Sequence, residues 1–245
     1  MFNPRPRVEE IPIHGRHSCV VIDDALLEPE RLVALAQERR GEFAPAPFNA
    51  YPGLELRMGE EFSSQLDDFF RLHVRARLGA RRTLRMYSRL AMVTTPPDEL
   101  QPRQSICHRD RLDFATNQCI AASVLYLFEE PVLGGTSFFV PIRPQPEIDR
   151  LVHDSGSLDA ESFAARYGLE RCYMRDSNQY FERVLTVPAR WNRLIFYNGG
   201  IFHVGDIAHP QLLTDQPRSG RLTLNGFFTC SRAAAAGLGS SASIR

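Results

Sequence analysis

The sequence places an imidazole and a carboxylate two residues apart in the stretch Cys107-His108-Arg109-Asp110. We interpret this stretch as a strand that begins at Gln104. Because alternate side chains of a strand share a face, His108 and Asp110 point one way and Cys107 and Arg109 the other. One imidazole and one carboxylate on a shared face supply two ligands of a facial triad, which leaves open coordination positions on an Fe(II) ion. A His-x-Asp pair alone is a weak signal, so the prediction depends on a third ligand.

His203 is the predicted third ligand. It lies on a short strand predicted for residues 201–204, directly after the turn Asn198-Gly199-Gly200, where apolar neighbours would hold its ring still. Two other histidines compete with it. His209 precedes a proline in a loop, and His153 lies in a predicted insertion, so both are weaker candidates.

The two earlier ligands also have alternatives. His108 can be a buried, hydrogen-bonded histidine, and Asp110 can cap a turn or pair with Arg111. Asp113 competes with Asp110, but three positions further on it would have left the strand. Cys107 beside His108 suggests a thiolate ligand, which strand alternation points away from the site.

Arg221 is the predicted binding residue for a carboxylate. It begins a final apolar strand, residues 221–230, where a charge is costly unless it is paired. Thr223 shares its face and can donate a hydroxyl to the same group. Arg218, in the preceding loop at residues 209–220, is the alternative.

All 29 basic residues are arginine, since the chain contains no lysine. This composition excludes Schiff-base chemistry, the anchoring of pyridoxal phosphate and the lysine-bearing phosphate loop. A carboxylate clamp in this chain must therefore be an arginine, whose planar guanidinium binds a carboxylate through two hydrogen bonds.

Charge and length restrict the class of protein. The 245 residues are 43% hydrophobic and 24% charged, as in a soluble globular protein of one domain or two small ones. A formal net charge of zero makes a nucleic-acid partner unlikely. The local cluster of Arg75, Arg77, Arg81 and Arg82 is interpreted as a solvated helix end.

Targeting signals and disulfides are not predicted. No apolar run has the length of a membrane span, and the polar residues 1–10 carry two prolines, which does not fit a secretory signal. The five cysteines have scattered spacings that fit reduced thiols in a cytoplasmic protein.

The periodicity of the chain predicts helices at residues 29–39 and 61–78, followed by strands. Strands are predicted at residues 18–22, 83–95, 120–128, 136–140, 180–187, 193–197, 201–204 and 221–230. This order favours a mainly β fold with N-terminal helices (α+β), built as a double-stranded β-helix, the cupin-like jelly roll.

The expected organisation is a single domain over residues 1–232. Residues 1–82 are expected to form a helical support and residues 83–230 the jelly-roll core. Residues 141–178 carry two short predicted helices and are an insertion, either a lid over the site or a surface subdomain. Residues 233–245 are rich in Ala, Gly and Ser and are expected to be a flexible tail.

Five motifs in order resemble the prolyl-hydroxylase-like branch of the 2-oxoglutarate/Fe(II) dioxygenases, including its uncharacterised bacterial members. The resemblance covers about residues 83–229. The motifs are His108-Arg109-Asp110, Leu125-Tyr126-Leu127-Phe128, Gly134-Gly135-Thr136-Ser137-Phe138-Phe139, Arg193-Leu194-Ile195-Phe196-Tyr197 with His203, and Arg221-Leu222-Thr223. The 18-residue separation of His203 and Arg221 is longer than in many relatives, which keeps Arg218 as a competitor.

The resemblance implies that His108, Asp110 and His203 hold Fe(II) and that Arg221 and Thr223 anchor 2-oxoglutarate. With O2, such a site hydroxylates an unactivated C–H bond of a small-molecule, amino-acid or peptidyl substrate and releases succinate and CO2. The alternatives are an inactive metal-binding jelly roll that serves as an interaction module, and a cupin-type enzyme that does not use 2-oxoglutarate. The oligomeric state stays open, a homodimer included.

Overall fold

The computed structural model describes residues 1–45, 51–110, 115 and 117–232, which form four α-helices and two antiparallel sheets. The strands are β1 (Val8–His14), β2 (His17–Ile22), β3 (Ala44–Pro45), β4 (Gly53–Arg57), β5 (Ala80–Val93), β6 (Gln118–Tyr126), β7 (Thr136–Pro141), β8 (Phe181–Val187), β9 (Leu194–Asn198), β10 (Phe202–Gly205) and β11 (Leu222–Arg232). The helices are α1 (Glu30–Glu38), α2 (Glu60–His73), α3 (Gln145–Ser155) and α4 (Ala160–Tyr167).

The larger sheet, which we call the major sheet, has the strand order β1-β2-β9-β6-β11-β5-β4-β3, and the minor sheet has the order β10-β7-β8. β11 lies between β6 and β5 and pairs with both over most of its length. Its side chains alternate between the two faces of the sheet. Leu222, Leu224 and Phe228 face the apolar core on one side, whereas Thr223 and Phe227 face the other.

Helix α2 covers one face of the major sheet. Leu66, Phe69 and Phe70 recur at helical spacing and are buried, and the rings of Phe70 and Phe228 lie 4.2 Å apart. The helical spacing of these residues therefore places the aromatic side chains of α2 in the core. The helix ends at His73 rather than at residue 78, because the chain must turn there to begin β5 at Ala80.

The predicted helical character of residues 1–82 is wrong in part, since this segment also contributes β1, β2, β3 and β4 to the major sheet. β1 was not predicted. It is an edge strand whose side chains are mostly exposed or half-buried, so its sequence is polar and lacks a clear alternation. The predicted helix at residues 29–39 is confirmed as α1.

The minor sheet packs against the second face of the major sheet. Tyr126 and Tyr197 from the major sheet share an apolar cluster with Phe138 and Val187 from the minor sheet. The ring centroids of Phe138 and Tyr197 lie 5.0 Å apart, and the Tyr126 and Thr136 hydroxyls are 2.8 Å apart. The fold is therefore mainly β, with a large antiparallel sheet, and its closure as a jelly roll stays a prediction.

The predicted insertion at residues 141–178 contains both expected helices. Ile148 and Leu151 of α3 and Phe163 of α4 pack with Phe139 and Phe181 of the minor sheet, on the face that points away from the major sheet. The helices therefore brace the minor sheet from outside. The predicted tail at residues 233–245 lies outside the described residues.

Candidate metal centre and its cavity

The segment that carries His108 and Asp110 is not the strand that we predicted from Gln104. Pro102–Gln104 is a 3-10 helix, and only His108 makes a β-bridge. The prediction fails because Pro102 starts a helical turn whose N-terminus carries a capping box formed by Gln101 and Gln104. Cys107 points away from the site into an apolar cluster, as alternation predicts.

Main-chain hydrogen bonds nevertheless give His108 and Asp110 the expected orientation. His108 and His203 exchange backbone hydrogen bonds of 3.0 and 2.8 Å, and the Asp110 N–H donates to the Gly199 carbonyl at 2.8 Å. The segment thus extends the minor sheet by one bridge at β10. This pairing brings residues about 95 positions apart in sequence to the same point.

His108, Asp110 and His203 converge. One ligand atom from each lies within 4.8 Å of the other two, and no other such cluster of three occurs among the described residues. His203 Nε2 is 3.8 Å from Asp110 Oδ2, and the two imidazole centroids are 4.5 Å apart. Two imidazoles and one carboxylate in this arrangement match the facial triad that binds Fe(II).

The hydrogen bonding of the three side chains fits a cation between them. The His203 Nδ1–H donates to the Ile201 carbonyl at 2.8 Å, which leaves Nε2 with its lone pair free for a metal. Asp110 Oδ2 is buried without a hydrogen-bond partner among the described residues. A buried carboxylate oxygen without a partner is destabilising, and a divalent cation would satisfy it.

Burial shifts the pKa of each of the three side chains in the direction that favours the neutral form of that side chain. It raises the pKa of Asp110 to about 6 and lowers the pKa of His108 and of His203 to about 4. Neutral imidazoles are the form that coordinates metal. Burial makes the ionised form of Asp110 unfavourable, and the positive charge of a bound cation would offset this free energy.

Gly199 makes the space that the Asp110 side chain occupies. A Cβ at this position would lie 2.3 Å from Asp110 Oδ2, closer than any real contact. The turn after β9 therefore needs glycine at position 199 because of this close approach. Gly199 positions Asp110 in two ways: its carbonyl accepts the Asp110 N–H, and its missing side chain leaves room for the carboxylate.

The competing histidines lie elsewhere. His209 is in an exposed loop next to Gln211, and His153 is at the end of α3 on the surface, where its ring contacts Asp154. Arg111 and Asp113, the alternatives weighed around Asp110, lie outside the described residues.

Arg221 is buried immediately before β11, with 4% of its surface exposed. Its Nε–H donates to the carbonyls of Leu133 and Gly134, and one Nη2–H donates to the Gly135 carbonyl at 2.8 Å. The main-chain carbonyls of Gly134 and Gly135 thus hold this guanidinium in place. The other three of its five N–H bonds, two on Nη1 and one on Nη2, have no hydrogen-bond acceptor in the described part of the chain.

Arg218, its competitor, is exposed and donates to Gln37 of α1 at 2.7 Å. Arg221, in contrast, faces Gly205 of β10, because a Cβ on Gly205 would lie 3.4 Å from Arg221 Nη2. Gly205 is two residues beyond His203 on the same face of the strand. The guanidinium therefore lies about 7 Å along β10 from the histidine.

One cavity of about 800 Å³ connects the metal-binding side chains with Arg221, and His108, Asp110 and Arg221 all line it. Thr223 is buried beside it, 3.4 Å from the Ala91 carbonyl, and is not among the lining residues. Its hydroxyl interacts instead with Tyr51, which does line the cavity.

Sequence reasoning missed most of the cavity wall. The missed residues include Tyr51, Arg85, Tyr87, Arg89, Arg103, Tyr173 and Phe227. The alternation in β5 was a usable signal, because Arg85, Tyr87 and Arg89 face the cavity while Leu90 and Met92 face the core. Tyr51 and Tyr173 carried no comparable signal, since neither lies in a helix or a strand.

Comparison with protein families gives one assignment. The model of a family of unknown function, DUF6445, matches residues 4–228, so the chain belongs to this family. The matched range contains the minor sheet, the major sheet except for the last four residues of β11, and all five residues that the sequence nominated for the site. A search of curated proteins found no match.

Several solved structures are similar at low identity. A prolyl-4-hydroxylase from Pseudomonas putida is 17% identical, with a TM-score of 0.46, and the match covers 89% of this chain and 94% of that one. The α-ketoglutarate-dependent carbocyclase SnoK of nogalamycin biosynthesis is 13% identical, with a TM-score of 0.49 and coverage of 88% and 80%. HygX from Streptomyces hygroscopicus, with nickel and 2-oxoglutarate bound, is 11% identical, with a TM-score of 0.44 and coverage of 86% and 82%.

The assignment of a function to this chain rests on its own residues. Among the described residues, no helix has the length and hydropathy that a membrane span needs. The cytoplasmic location, the oligomeric state and the lack of a nucleic-acid partner stay predictions.

Proposed function

We propose that the protein is an Fe(II)- and 2-oxoglutarate-dependent oxygenase that hydroxylates an unactivated C–H bond of a small-molecule, amino-acid or peptidyl substrate. The observation that carries the proposal is the convergence of His108, Asp110 and His203, whose ligand atoms lie within 4.8 Å of one another. The orphaned Asp110 Oδ2 and the hydrogen bond that frees His203 Nε2 support a metal at this point.

Three residues of the chain would hold the metal. His108 and His203 are locked by reciprocal main-chain hydrogen bonds, so their rings need little reordering on binding. The Asp110 N–H donates to the Gly199 carbonyl, and the missing side chain at Gly199 leaves room for the Asp110 carboxylate. When bound, Fe(II) with 2-oxoglutarate supplies the oxidation of a C–H bond by O2, with succinate and CO2 as co-products.

Arg221 is the proposed anchor of the far carboxylate of 2-oxoglutarate. Its hydrogen bonds to the Gly134 and Gly135 carbonyls fix the guanidinium. The two Nη1–H bonds and the second Nη2–H bond would donate to a carboxylate in a bidentate pair. The separation between His203 and Arg221 along β10 suits a five-carbon diacid that chelates at its other end. Tyr51 and Thr223 flank this end of the cavity and would limit its length.

The carboxylate end of the cavity is lined by buried side chains, since Arg221 and Tyr173 expose only 4% and 6% of their surface. Tyr51 also lines this end, and the Tyr173 hydroxyl donates to the Thr95 carbonyl at 2.6 Å. A dry site strengthens the charge pairing between Arg221 and a carboxylate. Tyr173 belongs to the predicted insertion at residues 141–178, so this segment contributes to the wall even though its helices lie outside.

The test is the formation of succinate from 2-oxoglutarate by the purified protein under air. We expect release of succinate that requires Fe(II), is stimulated by a substrate found in a metabolite screen, and is abolished in His203→Ala. His209→Ala is the matched control and should retain the activity, because that ring is in an exposed loop.

Two other outcomes would contradict the proposal. Metal binding without succinate under all substrates would favour the inactive interaction module. Turnover of a substrate with Fe(II) but without 2-oxoglutarate would favour the cupin-type enzyme, and in that case Arg221→Gln would leave turnover unchanged.

A further inference from the structure

The cavity extends past the metal-binding side chains, away from Arg221. On this far side its wall is formed by alternate residues of β5 and by the paired residues of β11. Phe227 lies opposite Tyr87 and Thr229 lies opposite Arg85. The wall therefore runs from Arg89 beside the metal centre, through an aromatic pair, to Arg85 at the mouth. 2-Oxoglutarate anchored at Arg221 would leave this half free.

The charges that the described residues contribute to the cavity are strongly unbalanced. Arg85, Arg89, Arg103 and Arg109 line it in addition to Arg221, and Asp110 is the only acidic side chain in that lining. Asp110, Fe(II), 2-oxoglutarate and Arg221 together would carry no net charge. The metal centre therefore does not neutralise the remaining arginines.

Two of these arginines are compensated within the protein. Arg89 pairs with Glu55 at 2.5 Å, with both side chains largely buried. Arg109 contacts Asp149 at 3.7 Å and lies over the ring of Phe202.

The other two have no acidic partner among the described residues. Arg85 is exposed at the mouth, and Arg103 donates only to the neutral Gln101 side chain at 3.0 Å. Arg89 adds a donor, because its buried Nε–H has no hydrogen-bond partner in the described part of the chain. Positive charge lining a concave site concentrates anions there.

The wall between these arginines is apolar. The rings of Tyr87 and Phe227 are stacked, with centroids 4.9 Å apart, and Ile120 lies beside them. Arg85 is two residues from Tyr87 along β5, which is about 7 Å. A ligand that covers the aromatic pair would therefore place a polar group at the mouth, next to Arg85.

We infer that this half of the cavity takes a small organic anion, with an apolar body against Tyr87 and Phe227 and a carboxylate or phosphate at Arg85. This inference names the substrate class of the proposed oxygenase and rests on that function. The C–H bonds of the apolar body would then be the part of the ligand nearest to the metal centre.

The test uses calorimetric titration of the protein loaded with Ni(II) and saturating 2-oxoglutarate, which cannot turn over. The probes are N-acetylphenylalanine, its neutral amide, and phenyl phosphate. We expect the two anions to bind about tenfold more tightly than the amide, and only their affinity to fall as NaCl is raised. The relative affinity of carboxylate and phosphate then identifies which anion the site prefers.

Arg85→Gln should weaken both anions about three- to fivefold and leave the amide unchanged, as expected for the loss of one exposed charge interaction. Arg82→Gln is the matched control, since Arg82 is exposed on the same strand and outside the cavity lining. Equal binding of amide and anions, or equal effects of the two substitutions, would overturn the inference and leave the proposed function standing. Failure to bind Ni(II) or 2-oxoglutarate in the loading step would overturn both.

Discussion

Asp110 is the side chain that most clearly separates a metal centre from a structural cluster. A buried carboxylate that served structure alone would have its oxygens hydrogen-bonded, as even the half-buried Asp23 has with Arg193. Asp110 instead leaves Oδ2 without a partner among the described residues, 3.8 Å from the Nε2 of His203. The raised pKa of Asp110 has the same cause, since burial disfavours its charge until a cation arrives.

Gly199→Ala tests whether that carboxylate needs its space. The new Cβ would overlap Asp110 Oδ2, so the carboxylate must move while the fold around the turn is retained. We expect metal affinity to fall by about 10- to 100-fold, the usual cost of disturbing the shell around a metal ligand. Titration with Ni(II) measures the effect.

Gly41→Ala is the control for that substitution, since a Cβ there meets nothing within 4 Å. Unchanged metal affinity in a folded Gly199→Ala protein would show that Asp110 is not a ligand. A melting curve for each variant establishes that both are folded.

Arg221→Gln tests the proposed anchor of the diacid. Glutamine cannot make the bidentate, charge-assisted pair, which is worth about 1.5–3 kcal/mol, so 2-oxoglutarate affinity should fall about 10- to 100-fold. Metal affinity should change little, because Arg221 does not contact the three ligands. Parallel titrations with Ni(II) and with 2-oxoglutarate separate the two effects.

Arg218→Gln serves as the matched control and should leave both affinities intact, since Arg218 is exposed beside Gln37. If it instead reproduced the loss, the competing assignment from the sequence would be correct. The Arg221 substitution also removes hydrogen bonds to the Gly134-Gly135 corner, so the variant should be less stable as well.

At the scale of elements, the site residues were predictable where a local pattern determined them. The helical spacing of Leu66 and Phe70 and the apolar alternation of β11 gave the core, and Arg221 was conspicuous as a charge at the start of an apolar strand. The same reasoning failed for residues 104–110. Gln104 ends a 3-10 helix, and His108 and Asp110 are oriented by main-chain pairing with His203 and Gly199, which lie far away in sequence.

The edge strands and the cavity wall were hidden for a similar reason. β1 is an edge strand that pairs only with β2, and most of its side chains are exposed or half-buried, so its composition resembles that of a loop. Arg89 was not singled out because its partners, Glu55 on β4 and Phe227 on β11, lie on the two strands that pair with β5. Contacts across a sheet of this kind have no signature in one sequence.

Asp23→Asn tests how the end of β2 is tied to the start of β9. Asp23 accepts hydrogen bonds from Arg193 at 2.6 and 3.0 Å and from Arg190 at 2.8 Å. The bond from Arg193 is the largest cause of the lowered pKa of Asp23. Loss of this pair should lower the free energy of unfolding by about 1 kcal/mol at neutral pH.

The pH dependence follows from the direction of that shift. Because the folded-state pKa lies below the ordinary value of 3.8, the stabilisation is present above 3.8 and is lost as the pH falls through the folded-state pKa. Urea unfolding across the acid range should therefore show the two proteins converging at low pH. Asp98→Asn, at an exposed position, is the control; a difference that persists in strong acid would mean that the charge is not the cause.

At the scale of the whole molecule, the site joins the two sheets. His203 lies in the minor sheet, Arg221 precedes the central strand of the major sheet, and Asp110 lies on the connecting segment. A metal and a diacid bound together would therefore add a link between the two sheets to existing contacts such as the Phe138–Tyr197 ring pair and the Tyr126–Thr136 hydroxyl pair. Ligand binding to the folded state alone must raise its stability.

We therefore expect Ni(II) and 2-oxoglutarate to raise the melting temperature together. A ligand at 100 times its dissociation constant adds about 2.7 kcal/mol, and a chain of this size gains about 2–4 °C per kcal/mol, so a shift of about 5–10 °C is expected. 2-Oxoglutarate alone should give much less, since one end of it binds the metal. His203→Ala should lose the shift while His209→Ala keeps it, as measured by differential scanning calorimetry. An equal shift in His203→Ala would place the metal elsewhere, and the two sheets would then not be joined at this site.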